Sequence, residues 1–210
     1  TTGVQNTLIG GTSGDALTDA DFNVAVGYNA LSSDTLGNRS VAIGYETLKA
    51  QNFTSATSSN NTAVGFHAGN DVTTGNNNTL IGANSGDKLT SGNSNTAMGY
   101  LALTTDTLGD RAVAIGVNAL ATQNFTSSTD NYNVGIGYQA GYSITTGIQN
   151  TLIGGLAGDA INTGDNNVAV GMASLSVLTT ADDNVAVGVS ALSSNLTGAS
   201  NTAVGRSSLA

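Results

Sequence analysis

The stretch "NTLIGGTSGDALT" at residues 6–18 decides the architecture of this 210-residue chain, because two close copies of it follow. They are "NTLIGANSGDKLT" at 78–90 and "NTLIGGLAGDAIN" at 150–162, so the three copies start at the equally spaced positions 6, 78 and 150. Self-similarity at a fixed spacing is the signature of a repeat protein. The chain is therefore expected to be built from stacked copies of one structural unit.

The repeating unit is shorter than that spacing and is marked by the motif Asn-(Thr/Val)-(Ala/Leu)-(Val/Ile)-Gly, which recurs twelve times with small variations. The motif glycines recur at a spacing of 17, except at two places where the spacing is 21. The extra residues lie in "KAQNFTSATSSN" (49–60) and "ATQNFTSSTDNY" (121–132). The sequence thus predicts one repeat domain over 1–210, with four-unit blocks at approximately 6–77, 78–149 and 150–210. The twelve glycines are Gly10, Gly27, Gly44, Gly65, Gly82, Gly99, Gly116, Gly137, Gly154, Gly171, Gly188 and Gly205.

The length and pattern of the unit predict an all-β fold. A unit of seventeen is too short for a helix–turn–helix repeat. "NTAVG" and "NVAVG" alternate as a short strand does, with Thr/Val and Val/Ile on one face and Ala or Leu on the other. We expect a parallel β-solenoid or β-roll of twelve coils, ten of the shorter length and two of the longer. At about 4.8 Å per coil it would form a rod of roughly 55 Å. A second apolar position follows seven to nine residues after the glycine, at Leu17, Leu36, Val72, Leu89, Leu108, Ile144, Ile161 and Leu178.

Stacking places equivalent residues above one another, so each motif position becomes a column along the rod. The unbroken glycine column predicts a positive φ or a place too tight for a Cβ atom. Asparagine tolerates the left-handed turn region, and stacked amides can hydrogen-bond as a ladder. We interpret both columns as structural rather than ligand-binding. The asparagine column is Asn6, Asn23, Asn61, Asn78, Asn95, Asn133, Asn150, Asn167, Asn184 and Asn201, with Ser40 and Ala112 as its exceptions.

The first unit of each block differs from the others in which position has the large side chain. Leu8, Leu80 and Leu152 stand where most units have Ala, and in the same units the residue after the motif glycine is Gly or Ala. Other units have Tyr or Phe at that place, as at Tyr28. Because close packing conserves volume, we predict that these two positions share one space.

Composition excludes several classes of function. The net charge is −9 and only five residues are cationic, whereas nucleic-acid binding needs a basic stripe. The longest apolar runs are far shorter than the roughly 20 residues that span a bilayer, so no membrane insertion is expected in this segment. The absence of cysteine removes disulfides and thiolate ligands.

No catalytic residue, cofactor or metal site is predicted. His67 is the only histidine, and without Cys or a second His it completes neither a zinc site nor a Cys/His pair. We interpret it as a variable surface position of the repeat. Asp15, Asp87 and Asp159 recur once in four units, which is too far apart for them to share a cation; calcium binding there is the weaker alternative.

The two longer units contain the best candidates for specific contacts. Protruding loops on a rigid scaffold often carry binding functions. Asn52 and Phe53 in the first long turn, and Asn124 and Phe125 in the second, are candidate surface-contact residues. In the alternative interpretation, the two phenylalanine rings fold back over a neighbouring coil or chain.

The strand motifs also resemble those of known fibre proteins. "RSVAIG" (39–44) and "RAVAIG" (111–116) resemble the S-V-A-I-G strand of YadA-like heads in trimeric autotransporter adhesins. "NVAVGYNALSSDTLGN" (23–38) and "NTAVGFHAGNDVTTGNN" (61–77) are similar to the N-T-A-V-G-Y-x-A-L repeats of phage tail fibres and large surface fibres. The resemblance covers essentially the whole chain. It implies a left-handed β-roll, assembled side by side as a homotrimer, in an extracellular or virion fibre that contacts a host-surface glycan or protein. Adhesin heads usually have a shorter repeat, so a turn or strand must be longer here.

The thinness of the predicted coil also favours assembly with other chains. A thin coil buries little apolar area alone, so a stripe of Ala, Leu and Tyr is expected to meet another chain. "TTGVQN" (1–6) matches the interior turn "TTGIQN" (145–150), and we expect the chain to be an excerpt of a longer fibre.

Two further functions remain open as alternatives to a structural and adhesive fibre segment. An ice-binding solenoid needs a flat array of threonines in register. A carbohydrate-active β-helix needs paired carboxylates in a groove. Asp34 and Asp106 recur in "DTLGNR" and "DTLGDR", and because Arg39 and Arg111 stand beside them, we interpret these aspartates as members of surface ion pairs. The aligned threonines are Thr18, Thr35, Thr73, Thr90, Thr107, Thr145 and Thr179, with Asn162 and Leu196 interrupting the column.

Overall fold

The computed structural model describes residues 2–210 and consists of sixteen short strands with no helix in that range. Twelve three-residue strands form one sheet: β1 Thr7–Ile9, β2 Val24–Val26, β4 Val41–Ile43, β6 Thr62–Val64, β7 Thr79–Ile81, β8 Thr96–Met98, β10 Val113–Ile115, β12 Val134–Ile136, β13 Thr151–Ile153, β14 Val168–Val170, β15 Val185–Val187 and β16 Thr202–Val204. Four two-residue strands form two small sheets, β3 Gly37–Asn38 with β5 Thr57–Ser58, and β9 Gly109–Asp110 with β11 Thr129–Asp130.

The order and register of the large sheet establish the solenoid. Its strands follow the order of the chain, all neighbours are parallel, and each residue pairs with its equivalent in the next coil, as Thr7 pairs with Val24 and Val41 with Thr62. The prediction of an all-β parallel solenoid of twelve coils is therefore confirmed. We number the coils 1–12 by their motif glycines.

The corners of each coil are made by residues in left-handed backbone conformation. One stands immediately before the asparagine column, and two others stand two and four residues after the motif glycine. In coil 2 these are Phe22, Asn29 and Leu31, with φ of 61°, 54° and 53°. The prediction that the asparagine column itself would be left-handed is wrong: none of its members has a positive φ, and the residue immediately before each of them takes this conformation instead.

The glycine column lies where adjacent coils approach most closely. All twelve glycines have φ between 121° and 142°. A Cβ atom on Gly99 would lie 2.5 Å from the carbonyl oxygen of Gly116 in the next coil. Both physical reasons for the column thus act together. The positive φ would strain any residue that has a side chain, and the space has no room for a methyl group.

The asparagine column closes each coil and links it to the next. The Nδ2 of Asn78 donates to the carbonyl of Gly92 in its own coil at 2.9 Å, and its Oδ1 accepts the backbone N–H of Asn95 at 2.9 Å. Direct contacts between the stacked side-chain amides occur only towards the C-terminal end, as between Asn167 and Asn150 at 3.2 Å. The ladder therefore runs mainly from side chain to backbone, which satisfies polar groups that would otherwise be buried without partners.

A second ladder stands two residues before the asparagine column and has no counterpart in the sequence predictions. Asp and Asn side chains there accept a backbone N–H from the coil before. The pairs are Asp21 with Val4, Asn38 with Asp21, Asn93 with Asn76, Asp110 with Asn93, Asp165 with Ile148, and Asp182 with Asp165, at 2.6–3.0 Å.

The core runs along the inside of the rod and contains three main columns, one from the strand centres, one four residues after the glycine and one seven residues after it. Where the strand centre is Leu80, the second position is Gly86; where it is Ala97, the second is Leu103, and all of these are buried. A Cβ atom on Gly86 would lie 2.6 Å from a methyl carbon of Leu80. The predicted exchange of volume exists but involves this position, because Tyr28 and its equivalents after the motif glycine point outward.

Coils 4 and 8 lack a leucine at both positions, and their neighbours fill the space. A Cβ atom on Gly69 would meet methyl carbons of Leu80 at 2.7 Å and Leu48 at 2.9 Å, which belong to the coils on either side. Gly141 is placed in the same way between Leu120 and Leu152. The block of four coils is thus a packing unit whose leucines interdigitate along the rod.

Exchanging the two core residues of coil 5 is expected to lower stability by less than the sum of the two single changes. Leu80→Ala should cost about 3 kcal/mol through the cavity it leaves. Gly86→Leu should cost about 2 kcal/mol through overpacking against Leu80. The double variant reproduces the arrangement of Ala97 and Leu103 in coil 6 but leaves open the space beside Gly69 that Leu80 also fills. Its loss in the free energy of unfolding should therefore be smaller than the sum of the two single losses by about 2 kcal/mol. Urea denaturation of the four proteins measures this coupling, and additive losses would contradict the shared space.

Candidate functional site

The outward face of the large sheet is the most distinctive surface of the molecule. The last residue of every strand is Val, Ile or Met and remains partly exposed, as at Ile43 and Met98. The residue after the motif glycine continues this surface and is often aromatic, with Tyr100 52% and Tyr138 56% exposed. We call these two columns the apolar face. Its aromatic or large apolar members beyond the strands are Tyr28, Tyr45, Phe66, Tyr100, Val117, Tyr138, Met172 and Val189.

The apolar face is continuous and almost free of charge. Only Arg206, in the last coil, places a charged side chain within its two columns. The face follows all twelve coils, a length of roughly 55 Å at the usual strand spacing. The expectation that Ala and Leu would form the exposed stripe needs correction, because the Ala and Leu of the strand centres are buried inside the coil and the Val/Ile and Tyr columns are exposed instead.

Part of the apolar face in coils 2–4 is an aromatic stack. The ring centroids of Tyr28 and Tyr45, and of Tyr45 and Phe66, are 5.4 Å apart, and the His67 ring lies 4.0 Å from that of Phe66. His67 Nε2 is 3.2 Å from a carboxylate oxygen of Glu46. His67 therefore belongs to a packed surface cluster rather than standing alone.

Glu46 is the polar centre beside this stack. Lys49 donates a hydrogen bond of 3.0 Å to one carboxylate oxygen, and this bond is the largest cause that lowers the pKa of Glu46. Asn29, from the coil before, donates to the same oxygen at 3.2 Å. The cluster thus neutralises its own charge at the edge of the apolar face.

The two long turns place their aromatic and polar residues differently. Phe53 and Phe125 are only 6% and 5% exposed, whereas Asn52 and Asn124 are exposed. A Cβ atom on Gly37, in the coil before, would lie 2.8 Å from the Phe53 ring. The Phe53 ring therefore covers the neighbouring coil and the Phe125 ring is buried as well, so any contact role of these turns depends on their polar residues.

Asp34 and Asp106 lie inside the coil, so the interpretation as surface ion pairs is wrong. Both are fully buried at the position seven residues after the glycine, where other coils have residues such as Leu89 and Ile144. Arg39 and Arg111, by contrast, are exposed. The two carboxylates belong to different coils four units apart, which is not the arrangement of two carboxylates facing one groove.

The buried Asp106 is held by hydrogen bonds alone. One carboxylate oxygen accepts the backbone N–H groups of Gly109 at 3.0 Å and Phe125 at 3.3 Å, and the other accepts Gln123 Nε2 at 2.6 Å. Gln123 Oε1 in turn accepts Asn133 Nδ2 at 2.9 Å. Burial raises the pKa of Asp106, and these donors oppose that effect. Asp34, Gln51 and Asn61 repeat the relay in coils 2–4.

This relay explains the exceptions to the asparagine column. Ser40 and Ala112 occur in coils 3 and 7, which are the coils that contain Gln51 and Gln123. Gln51 Nε2 lies 2.9 Å from Ser40 Oγ. A small residue at the column position therefore leaves room for the glutamine amide, and the coil is closed by the Asp–Gln–Asn relay. The one signal of this relay in the sequence is an Asp seven residues after the motif glycine, followed by a Gln at the equivalent position of the next coil.

The aspartates recurring once per block do not converge. Asp87 lies 3.2 Å from Lys88, and Asp159 has one buried oxygen without a hydrogen-bond partner in the described range. Burial raises the pKa of Asp159. Among residues 2–210, no group of three or more His, Asp or Glu side chains is close enough to hold a metal ion.

The threonine column forms hydrogen bonds along the rod. Thr18 Oγ1 donates to the carbonyl of Thr35 at 3.0 Å, and Thr73 and Thr90 repeat this pattern towards the following coil. These hydroxyl donors are directed at the protein backbone. The Asn side chains at positions 52 and 124 also interrupt the column.

Comparisons with known proteins do not assign the chain to a family. No family model, curated protein or solved structure matches the chain. Within the described residues, no helix is long and apolar enough to cross a membrane.

Proposed function

We propose that this chain is a rigid segment of an extracellular or virion fibre, in which copies associate side by side through the apolar face. The observation that supports this proposal most strongly is the apolar face itself. Soluble monomers rarely expose contiguous apolar patches of more than a few hundred Å². A second copy offers a surface of the same length, the same repeat and the same lack of charge.

The rod architecture is suited to a spacer. Every coil pairs with the next through the sheet and the side-chain ladders, so bending at one coil would break several hydrogen bonds at once. The resemblance to fibre repeats leads us to propose a left-handed roll and a homotrimer. In this assembly the long turns carry the adhesive role, with Asn52 and Asn124 at exposed positions from which a host-surface glycan or protein could be contacted.

Light scattering of the purified chain tests the assembly. A trimer has three times the chain mass of 20.7 kDa. Replacing both Tyr100 and Tyr138 by Asp should shift the mass towards that of one chain, because each change places an unpaired charge in the contact between copies. Both tyrosine side chains are about half exposed in the single chain, so the coils should stay folded. Val177→Asp with Leu196→Asp is the matched control, since both residues are exposed away from the apolar face.

Three outcomes separate the possibilities. A parent protein of single-chain mass would contradict side-by-side assembly. A trimeric parent whose mass is unchanged by the tyrosine substitutions would show that another surface joins the copies. Dissociation by the tyrosine pair and not by the control pair is the expected result.

A further inference from the structure

Two arginines occupy the same place in coils 3 and 7. Arg39 and Arg111 are both exposed, and both have left-handed backbone conformation with φ of 63° and 65°. Each guanidinium lies near an exposed aromatic ring, Arg39 at 6.0 Å from the Phe22 centroid and Arg111 at 5.7 Å from that of Tyr132. The ring belongs to the coil before in the first case and to the coil after in the second. The two places can therefore be compared as natural variants of one surface.

Arg111 demonstrates the chemistry of this surface. Its Nε donates to Asp130 Oδ1 at 2.6 Å, and Asp130 stands at the end of β11, in the second long turn. This hydrogen bond is the largest cause that raises the pKa of Arg111, and the charge of Asp110 adds to it. A carboxylate beside an aromatic ring is thus bound directly at this position of the coil.

Arg39 has the same placement without the two acids. Ser58 at the end of β5 corresponds to Asp130, and Asn38 corresponds to Asp110. Within residues 2–210, Arg39 forms no salt bridge. In a chain of net charge −9, this is a cation whose usual carboxylate partner has been replaced by a short hydroxyl.

We propose that Arg39, Ser58 and Phe22 form a binding site for the carboxylate of an acidic sugar. A guanidinium binds carboxylates through charge-assisted hydrogen bonds of fixed geometry. Phe22, 49% exposed, offers an apolar edge to the C–H groups of a pyranose ring. The exposed Ser58 hydroxyl suits a hydroxyl of the sugar, whereas the hydroxyl hydrogen of Thr57 and the side-chain amide of Asn60 already donate to protein oxygens. The overall negative charge disfavours polyanions, so a single carboxylate is the fitting charge.

The first test is an NMR titration of the ¹⁵N-labelled chain in its native assembly. Methyl glucuronoside is the carboxylated probe and methyl glucoside is its neutral counterpart with the same ring. We expect saturable shifts of the Arg39 Nε–H signal with a millimolar Kd for the glucuronoside, weakened by added salt, and none for the glucoside. Equal binding of both sugars, or no saturable shift with the glucuronoside, would overturn the proposal.

Variants exchange the two surfaces. Ser58→Asp supplies an internal carboxylate, as Asp130 does for Arg111, and should weaken glucuronoside binding at least tenfold. Ser58→Asn, of similar size but neutral, removes only the hydroxyl and should weaken binding about threefold. Asp130→Ser combined with Asp110→Asn should add a second site at Arg111. Binding that is unchanged by Ser58→Asp would contradict the site. N-acetylglutamate amide binding as tightly as the glucuronoside would contradict the sugar as the ligand. The site does not depend on how the copies assemble, so a monomeric mass would leave this prediction standing.

Discussion

Gly99→Ala is expected to break the solenoid at coil 6, with a loss of about 4 kcal/mol or more in the free energy of unfolding. Two costs combine at this position. The backbone has φ of 140°, which costs an L-residue about 1–3 kcal/mol. The new methyl would lie 2.5 Å from the Gly116 oxygen and 2.6 Å from its carbonyl carbon, and neither backbone atom can move without separating the coils.

Two other glycines divide this loss into its parts. Gly205 has φ of 121° but no atom within 4 Å of the place that a methyl group would take, so Gly205→Ala should show only the conformational cost of about 1–3 kcal/mol. Gly155 has neither a positive φ nor a neighbour within 4 Å, and Gly155→Ala should change stability by less than about 0.5 kcal/mol.

Hydrogen exchange is the measurement that locates the break. In a solenoid, stability is approximately the sum of each coil and its interfaces with its neighbours. Amides of coils 5–7 should therefore lose protection in Gly99→Ala, while the terminal coils should change much less. Uniform loss along the rod, or a stability equal to that of Gly155→Ala, would contradict the close approach of the glycine column.

Exchanging the polarity of Asp106 and Gln123 is expected to rescue two strongly destabilising single changes. Gln123→Glu would bury a second carboxylate against that of Asp106 and should cost about 3–5 kcal/mol. Asp106→Asn would set an amide donor against Gln123 Nε2 and should cost about 1–3 kcal/mol. In the double variant, the amide introduced at position 106 donates to the carboxylate introduced at position 123, whose other oxygen still accepts Asn133 Nδ2.

The double variant should therefore unfold within about 1 kcal/mol of the parent. Coil 7 is the better place for this experiment, because Ala112 cannot join the exchange, whereas Ser40 contacts the equivalent Gln51 in coil 3. A thermodynamic cycle of the four proteins by urea denaturation gives the coupling. Simple addition of the two losses would mean that the 2.6 Å contact between Gln123 and Asp106 does not stabilise the core.

The repeat length, the strand class and the glycine column could be predicted because stacking makes each of them visible in the sequence. When equivalent residues lie above one another, a steric limit at one coil applies to every coil. Gly99 is one of twelve glycines for that reason. The same logic predicted the alternation of the strands, since a residue such as Ala97 must face the same side of the sheet in every copy.

The paths of the long turns and the role of Asp106 could not be predicted in this way. Only two coils contain these features, so the column pattern says little about them. Phe53 and Phe125 follow polar residues as exposed loop aromatics would, yet both are buried. Asp106 is polar and has an exposed Arg five residues away, but its partner, Gln123, belongs to the next coil.

The sequence by itself thus determined the period, the number of coils and the residue type of each column, since these depend on contacts repeated at every coil. The tertiary structure alone decided which polar side chains lie inside and which apolar ones lie outside. That choice depends on partners a whole coil away, as for Asp106 and Gln123, and on the direction in which each left-handed corner turns the chain. Val and Ile at the strand ends therefore remain outside the core although their hydrophobicity equals that of the leucines within it.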